Sequence, residues 1–266
     1  MFETKGLTKY FGGLCAVQGL DLNVEEGEIV GLIGPNGAGK TTVFNLVTGF
    51  LHPTSGEIIF EGKDIVGQKP HAIAHLGMVR TFQLARIFHD FTVLRNMVAA
   101  SHLNPKITFW EAILKTSRYR QKEEDISSKI MKILQFVGLS DMKDVVARNL
   151  PHGHQKKLCI AIALAANPKL LLLDEPLGGM NSSEVDNTLE IIAKIRKQGI
   201  AVLLIEHNMR AVMSICDRLL VLNFGREIAR GSPDKIQKNQ DVIQAYLGEE
   251  DYVTGAERCK DPLRKS

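Results

Sequence analysis

The sequence predicts an α/β fold organised around a buried parallel sheet, and three observations carry that prediction. Short runs rich in Val, Ile and Leu recur along the chain and alternate with stretches of helical spacing. Several of these runs are apolar on both faces, as in a sheet covered by helices on either side. A glycine-rich segment, GPNGAGKT (34–41), lies between a strand-like run and a helix-like one, and a second apolar run, LLLLD (170–174), ends in an acidic pair.

Taken in order, EIVGLIG (28–34), VRTF (79–82), LLLLD (170–174), AVLLIE (201–206) and RLLVLN (218–223) read as strands of the parallel core. GEIIFEG (56–62) and the segments around Lys5 and Leu20 read as additional, antiparallel strands. A helix is predicted over about 185–197, where Val185, Leu189, Ile192 and Ile195 recur at helical spacing. Between about 84 and 165 the strand signal disappears. Ile126, Ile130, Ile133, Leu134 and Val137 form one helical stripe there, which predicts a helical insert within a domain spanning 2–248. EEDYVTGAERCKDPLRKS, at the end, is polar and uneven and reads as a tail over 249–266. No internal repeat is evident, which argues against two tandem copies of the domain.

Bulk properties narrow the function. With 266 residues and 44% hydrophobic content, the chain can bury a sizeable core. Its 33 basic and 30 acidic residues leave a net charge of +3, too balanced to point to a nucleic-acid partner. Cys15, Cys159, Cys216 and Cys259 are scattered with no C-x-x-C pair, which disfavours a zinc or disulfide framework and suits a reducing cytosol. The start, MFETKGLTKYF, is too polar for a secretory signal, and no apolar run approaches the ~18 residues needed to cross a bilayer.

The chemistry begins at GPNGAGKT, which fits G-x-x-x-x-G-K-[ST] in the strand–loop–helix context that motif needs. Gly34, Gly37 and Gly39 allow backbone N–H groups to curl around phosphate oxygens. Lys40 offers a point charge to the β- and γ-phosphates, and the Thr41 hydroxyl can hold Mg²⁺. The helix N-terminus adds its positive dipole end. The bland alternative is a glycine turn with a chance lysine. In LLLLDEP the strand delivers Asp174 to its carboxyl end, where open α/β sheets place their ligands, and Asp174 suits Mg²⁺. Glu175, one residue on, can face an attacking water as general base. His207 ends another predicted strand, in LLIEHNM, and can reach the same crevice. Gln83, in VRTFQ, stands where the sheet meets the helical insert and can contact Mg²⁺ or water. Alone, neither His207 nor Gln83 would mean more than a surface residue.

These segments, in this order, resemble an ABC-type ATPase. Gly34–Thr42, Gln83, the 150–155 segment, Leu170–Glu175, GGMN (178–181) and His207 look like its Walker A, Q-loop, signature, Walker B, D-loop and H-switch motifs. GPNGAGKTTVFNLVTGF, VRTFQLARIFHDFTVLRNMVAA, LLIEHNMRAVMSICDR and VIQAYLGEE further resemble ATPase subunits of branched-chain amino acid importers. The resemblance implies a P-loop NTPase of ABC type, with a parallel-sheet core, an antiparallel β-subdomain and a helical insert. It implies ATP and Mg²⁺ as ligands. Gly34, Pro35, Asn36, Gly37, Ala38, Gly39, Lys40, Thr41 and Thr42 would hold the nucleotide. Phe11, with Tyr10 as its neighbouring alternative, would stack on adenine, although packing on the N-terminal sheet is the plainer reading.

The resemblance also gives LPHGH (150–154) a role. In ABC ATPases two nucleotide domains face each other, and each ATP lies between the P-loop of one and the signature of the other. The usual signature is L-S-G-G-Q. Leu150 and Gly153 match it, while Pro151, His152 and His154 depart. Gly153 keeps an unhindered N–H at a helix N-terminus, but Pro151 removes a hydroxyl and an N–H. His152 and His154 without a third ligand nearby make a poor zinc site. The run IFHDFTVLRN (87–96) resembles the groove where a permease's cytoplasmic helix docks, against the alternative of ordinary packing in the helical lobe. Asn181 stands where many relatives carry Asp. Cys159 and Ile162 stand where charged residues are common.

The implied function is ATP hydrolysis at the cytoplasmic face of a membrane, energising import of branched-chain or other hydrophobic amino acids. The implied partners are integral permease subunits, a second ATPase subunit and, indirectly, an external binding protein. Other cargo (urea or amides, lipopolysaccharide) and a non-transport, nucleotide-gated regulatory role remain the alternatives.

Overall fold

The computed structural model describes residues 1–81, 87–101 and 117–247. Gln83 and the 249–266 tail lie outside the described residues.

The chain opens with a long hairpin, β1 (Phe2–Phe11) and β2 (Leu14–Val24). With β4 (Ser55–Phe60) and β5 (Lys63–Asp64) it forms an antiparallel sheet of order β2-β1-β4-β5. The second sheet holds β3 (Ile29–Ile33), β6 (Met78–Arg80), β7 (Leu170–Asp174), β8 (Ala201–Ile205), β9 (Arg218–Asn223) and β10 (Arg226–Gly231) in the order β10-β9-β3-β8-β7-β6. Its pairs are parallel except β9 with β10.

Period-two alternation splits this sheet's side chains between two cores. Leu170, Leu172, Leu203, Val30, Leu32 and Leu220 turn towards the antiparallel sheet and α1 (Lys40–Val47). Leu171, Leu173, Val202, Leu204, Leu219 and Val221 turn towards the opposite layer. There lie α3 (Val93–Ser101), α4 (Ser117–Val137), α5 (His152–Ala165), α6 (Ser182–Lys197) and α7 (Met209–Ile215). A short α2 (Pro70–Leu76) precedes β6, and α8 (Pro233–Gln237) and α9 (Gln240–Leu247) close the described chain. Leu171 and Leu173 each bury a whole side chain, worth about 1.5–3 kcal/mol apiece, which is why this strand reads as one unbroken apolar run.

The strands read from sequence all form. Ile130, Leu134 and Val137 are buried, with Ile126 and Ile133 packed against them, so the helical stripe is real. The α6 seam differs slightly. Thr188, Ile191, Ile192 and Ile195 are buried, while Val185 and Leu189 are only half-buried. Thr188 tolerates the core because its hydroxyl donates to the Glu184 carbonyl at 2.8 Å. The strand β10 escaped sequence reading because REIARG lies on a sheet edge and carries no apolar alternation. Burial pushes the Cys159 and Cys216 thiols up to about 11 and about 12, so both stay protonated at neutral pH. Among the described residues no helix is long and apolar enough to cross a membrane.

Candidate active site

In the sheet, β8 lies between β3 and β7. The loop after β3, the acidic pair at the end of β7 and the histidine after β8 therefore open from neighbouring carboxyl ends onto one crevice.

The loop after β3 demands glycine at two points. Gly34 has φ 149° and Gly39 φ 104°. A Cβ on Gly34 would overlap the Leu222 carbonyl, and one on Gly39 the Ala16 carbonyl. Pro35 and Ala38 are buried under the loop, whereas Asn36 and Gly37 are exposed at its tip. Gly39 caps α1, and Lys40, Thr41 and Thr42 form its first turn with N–H groups turned to the crevice. Lys40 is only 6% exposed, and its Nζ donates to the carbonyls of Gly34 (2.7 Å) and Pro35 (2.8 Å). The cation is thus folded back over the loop it would share with a phosphate.

Asp174 ends β7 with its side chain 6% exposed and accepts from Arg80 Nη2 at 2.6 Å. Glu175 follows in the left-handed region, φ 48°, a conformation worth roughly 1–3 kcal/mol of local strain for a non-glycine residue. Both ends of this turn are pinned. The Glu175 N–H donates to the Ile205 carbonyl at 2.9 Å, and its carbonyl accepts from Lys156 Nζ of α5 at 2.8 Å. The Glu175 side chain projects to solvent and meets His207, Oε1 to Nε2 at 3.0 Å. Phe11 presents a ring 45% exposed at the end of β1, with Lys9 Nζ 5.1 Å from its centroid.

Sequence reasoning missed three supports. Arg80, on β6, bridges Asp174 and Asn45. Lys156 ties α5 to the Glu175 carbonyl. Glu206, 4% exposed, accepts N–H groups from Leu177 (2.6 Å) and His207 (3.0 Å), joining the turn after Glu175 to the histidine loop. Burial pushes the Glu206 carboxyl up, against the pull of those backbone donors. The available signal was a charge inside or closing an otherwise apolar strand, as in VRTF and AVLLIE.

The segment LPHGH starts α5. Pro151 is its N-cap, and no side chain caps the helix. Gly153 is buried against α6, where a Cβ would lie 2.5 Å from Glu184 Oε1. The His152 ring packs over Gly179. Glu184 also closes a capping box with Asn181, each side chain accepting the other's backbone N–H at 3.0 Å. Replacing Asn181 by Ala should cost about 1 kcal/mol of stability, read from the urea midpoint. An unchanged midpoint would contradict the capping role.

His154 Nδ1 is buried with no hydrogen-bond partner among the described residues. Burial and Lys157 lower its pKa, against the pull of Glu184. The unfolded chain, with histidine near 6.5, takes up a proton first. Stability tied to His154 is therefore complete above that value and is lost as pH falls through the folded-state pKa. Melting temperatures at about pH 7.5 and about pH 5.5 should separate less in His154→Gln than in the parent chain. Equal separations would remove His154 from the acid response.

Exposed rings at Phe88 and Phe91 stack at 5.1 Å between centroids on the loop before α3. Asn96, 1% exposed, braces that loop through Phe88 N–H and the carbonyls of Phe88, Phe91 and Thr92.

A family model described as "ABC transporter" matches residues 17–178, and one described as "Branched-chain amino acid ATP-binding cassette transporter" matches 226–252. The high-affinity branched-chain amino acid transport ATP-binding protein BraF of Pseudomonas aeruginosa is 44% identical over 250 residues, covering 94% of this chain and 98% of its own length. The chain belongs to the ABC transporter ATP-binding family. Within it, the high-affinity branched-chain amino acid transport ATP-binding protein LivG of Escherichia coli is 42% identical over the same share of both chains. The crystal structure of the ADP conformation of MJ1267, an ATP-binding cassette of an ABC transporter, superposes with a TM-score of 0.82 at 33% identity, covering 94% of this cassette and 99% of that one. The α/β fold of ABC type is therefore established for this cassette.

Proposed function

We propose that this cassette binds and hydrolyses Mg-ATP to energise import of branched-chain amino acids through membrane permease subunits. The observation that carries the ATPase reading is the crevice at the ends of β3, β8 and β7. There a buried lysine, a buried aspartate and a Glu175–His207 pair at 3.0 Å open side by side. The cargo rests on the likeness to BraF and LivG, which are branched-chain amino acid transport ATP-binding proteins.

The donor set suits Mg²⁺, a hard cation that takes oxygen ligands. Asp174 and the Thr41 hydroxyl supply oxygens at the loop expected to carry phosphate, with Gln83 as the third candidate. Held there by Asp174 and Thr41, Mg²⁺ would supply charge neutralisation for the bound phosphates. Backbone N–H groups of the loop and of the first turn of α1 cradle the phosphates, apart from the Ala38 N–H, which donates to the Pro35 carbonyl at 3.2 Å. Lys40 exchanges the carbonyls of Gly34 and Pro35 for phosphate oxygens. Glu175 orients and deprotonates the attacking water. His207, held by its contact with Glu175 and through Glu206 by the backbone, orients both the carboxylate and the γ-phosphate. Phe11 offers its exposed ring to adenine. A second cassette, like or unlike this one, would present Gly153 and the uncapped start of α5 to the phosphate held here. Phe88 and Phe91 would meet the permease, since large exposed rings of this kind favour a protein partner.

The test is purification of the tagged full-length chain from detergent-solubilised native membranes, followed by ATPase assay of what co-purifies. The expected result is recovery of integral permeases and hydrolysis stimulated by a binding protein loaded with leucine, isoleucine or valine. Recovery of permeases with stimulation by a different cargo would overturn the cargo. Recovery without any membrane partner would overturn the transport role.

A further inference from the structure

The side chain of Arg80 does not behave like a charge on a sheet edge. It sits on β6, three residues before Gln83, and turns inward, so that the side chain is 8% exposed. One arm of its guanidinium, Nη1, donates to Asn45 Oδ1 of α1 at 2.7 Å. The other, Nη2, donates to Asp174 Oδ2 of β7 at 2.6 Å. The Phe44 ring lies 5.4 Å from the guanidinium carbon and fixes the plane of the fork. The helix that begins with the phosphate loop and the strand that ends in the acidic pair are therefore clamped by one side chain.

A buried ion pair is weak evidence for stability, because desolvating both partners offsets most of their attraction. Here the geometry has a different use. One arm meets the Asp174 carboxylate at Oδ2, and the second arm is spent on the phosphate-loop helix. We propose that Arg80 is a positioning residue for metal-dependent nucleotide binding, holding the Asp174 carboxylate in register with α1 so that Mg²⁺ meets Asp174 and Thr41 already aligned. The inference rests on the reading of Asp174 as a metal-side residue. It is opposed by a simple alternative, in which Arg80 acts only as a positive charge that weakens metal binding.

Lysine separates the two ideas, because a pure charge effect predicts no change and positioning predicts a loss. Arg80→Lys keeps the charge and loses the planar fork that spans Asn45 and Asp174. The affinity of the full-length chain for a fluorescent ATP analogue is measured with Mg²⁺ and again with EDTA, and the ratio gives the gain due to metal. With positioning, that gain falls about tenfold in Arg80→Lys, whereas affinity in EDTA stays within about twofold of the parent. Asn45→Ala, which leaves Arg80 and its charge in place, moves the gain in the same direction by a smaller factor, and the double variant is no worse than Arg80→Lys alone. Melting curves establish that each variant is folded. A gain that is unchanged or increased in Arg80→Lys, or additive effects of the two substitutions, overturns the proposal. Asp174→Asn serves as the reference. If it keeps the full metal gain, the metal-side reading of Asp174 fails and Arg80 falls with it. If it loses the gain while Arg80→Lys does not, only the Arg80 assignment is overturned.

Discussion

Glu175→Gln is expected to bind ATP about as tightly as the parent, within about threefold, while hydrolysing it some 10²–10⁴ times more slowly. The substitution preserves size and keeps a group that can hydrogen-bond His207 Nε2 in place of the 3.0 Å contact. It removes only the ability to take a proton from water. The left-handed turn at Glu175 should survive, because its N–H is tied to Ile205 and its carbonyl to Lys156, and neither bond uses the carboxylate. With hydrolysis blocked and binding intact, the ATP-bound pair of cassettes should accumulate, visible as an ATP-dependent dimer on size exclusion. Turnover within a few-fold of the parent would sink the general-base assignment and shift attention to His207.

Lys40→Ala is expected to lose affinity rather than turnover alone. Its Nζ is a buried cation that donates to two carbonyls, so on the proposed role it would enter the ATP complex already desolvated, and exchanging carbonyls for phosphate would cost little. Removing it deletes a charge-assisted contact worth about 1.5–3 kcal/mol, or about 10–100-fold in Kd. It also leaves the Gly34 and Pro35 carbonyls without that donor, so a lower melting temperature should accompany the loss. A fluorescent-nucleotide titration reads the effect. An affinity within about threefold of the parent would show that the backbone N–H groups suffice without the lysine.

The residues most legible in the sequence are those whose chemistry demands a pattern in consecutive positions. GPNGAGKT needs glycine where a Cβ would strike Leu222 and Ala16, and LLLLDE needs an unbroken apolar strand beneath two carboxylates. Both constraints are local, so both are written locally. Asn45, Arg80 and Asp174 are 35 and 94 residues apart, and their contact exists only once β6 and β7 pair and α1 packs beneath them. The reach of Lys156 to the Glu175 carbonyl and of Glu206 to the Leu177 N–H is hidden for the same reason. The charge that closes AVLLIE is visible, but its partner is a backbone group of another segment, and backbone groups leave no trace in residue identity. In the sequence Gly153 reads as a bare N–H for a phosphate, while its lack of a Cβ also admits Glu184 of α6, a tertiary demand no spacing rule encodes.

The two margins of the central sheet bear on how cassettes can meet. On one side lies β10, whose Arg230 is paired with Glu227 and reaches the Asp21 carbonyl. On the other lies β6, only Met78–Arg80 in length. A charged, salt-bridged strand and a three-residue stub are poor templates for a foreign strand. Growth of the sheet from chain to chain, the route by which flat β-structures polymerise, is therefore discouraged at both borders. The pairing proposed above would then fall to the loops at the carboxyl ends, where two cassettes could come together and part again without risking a permanent weld.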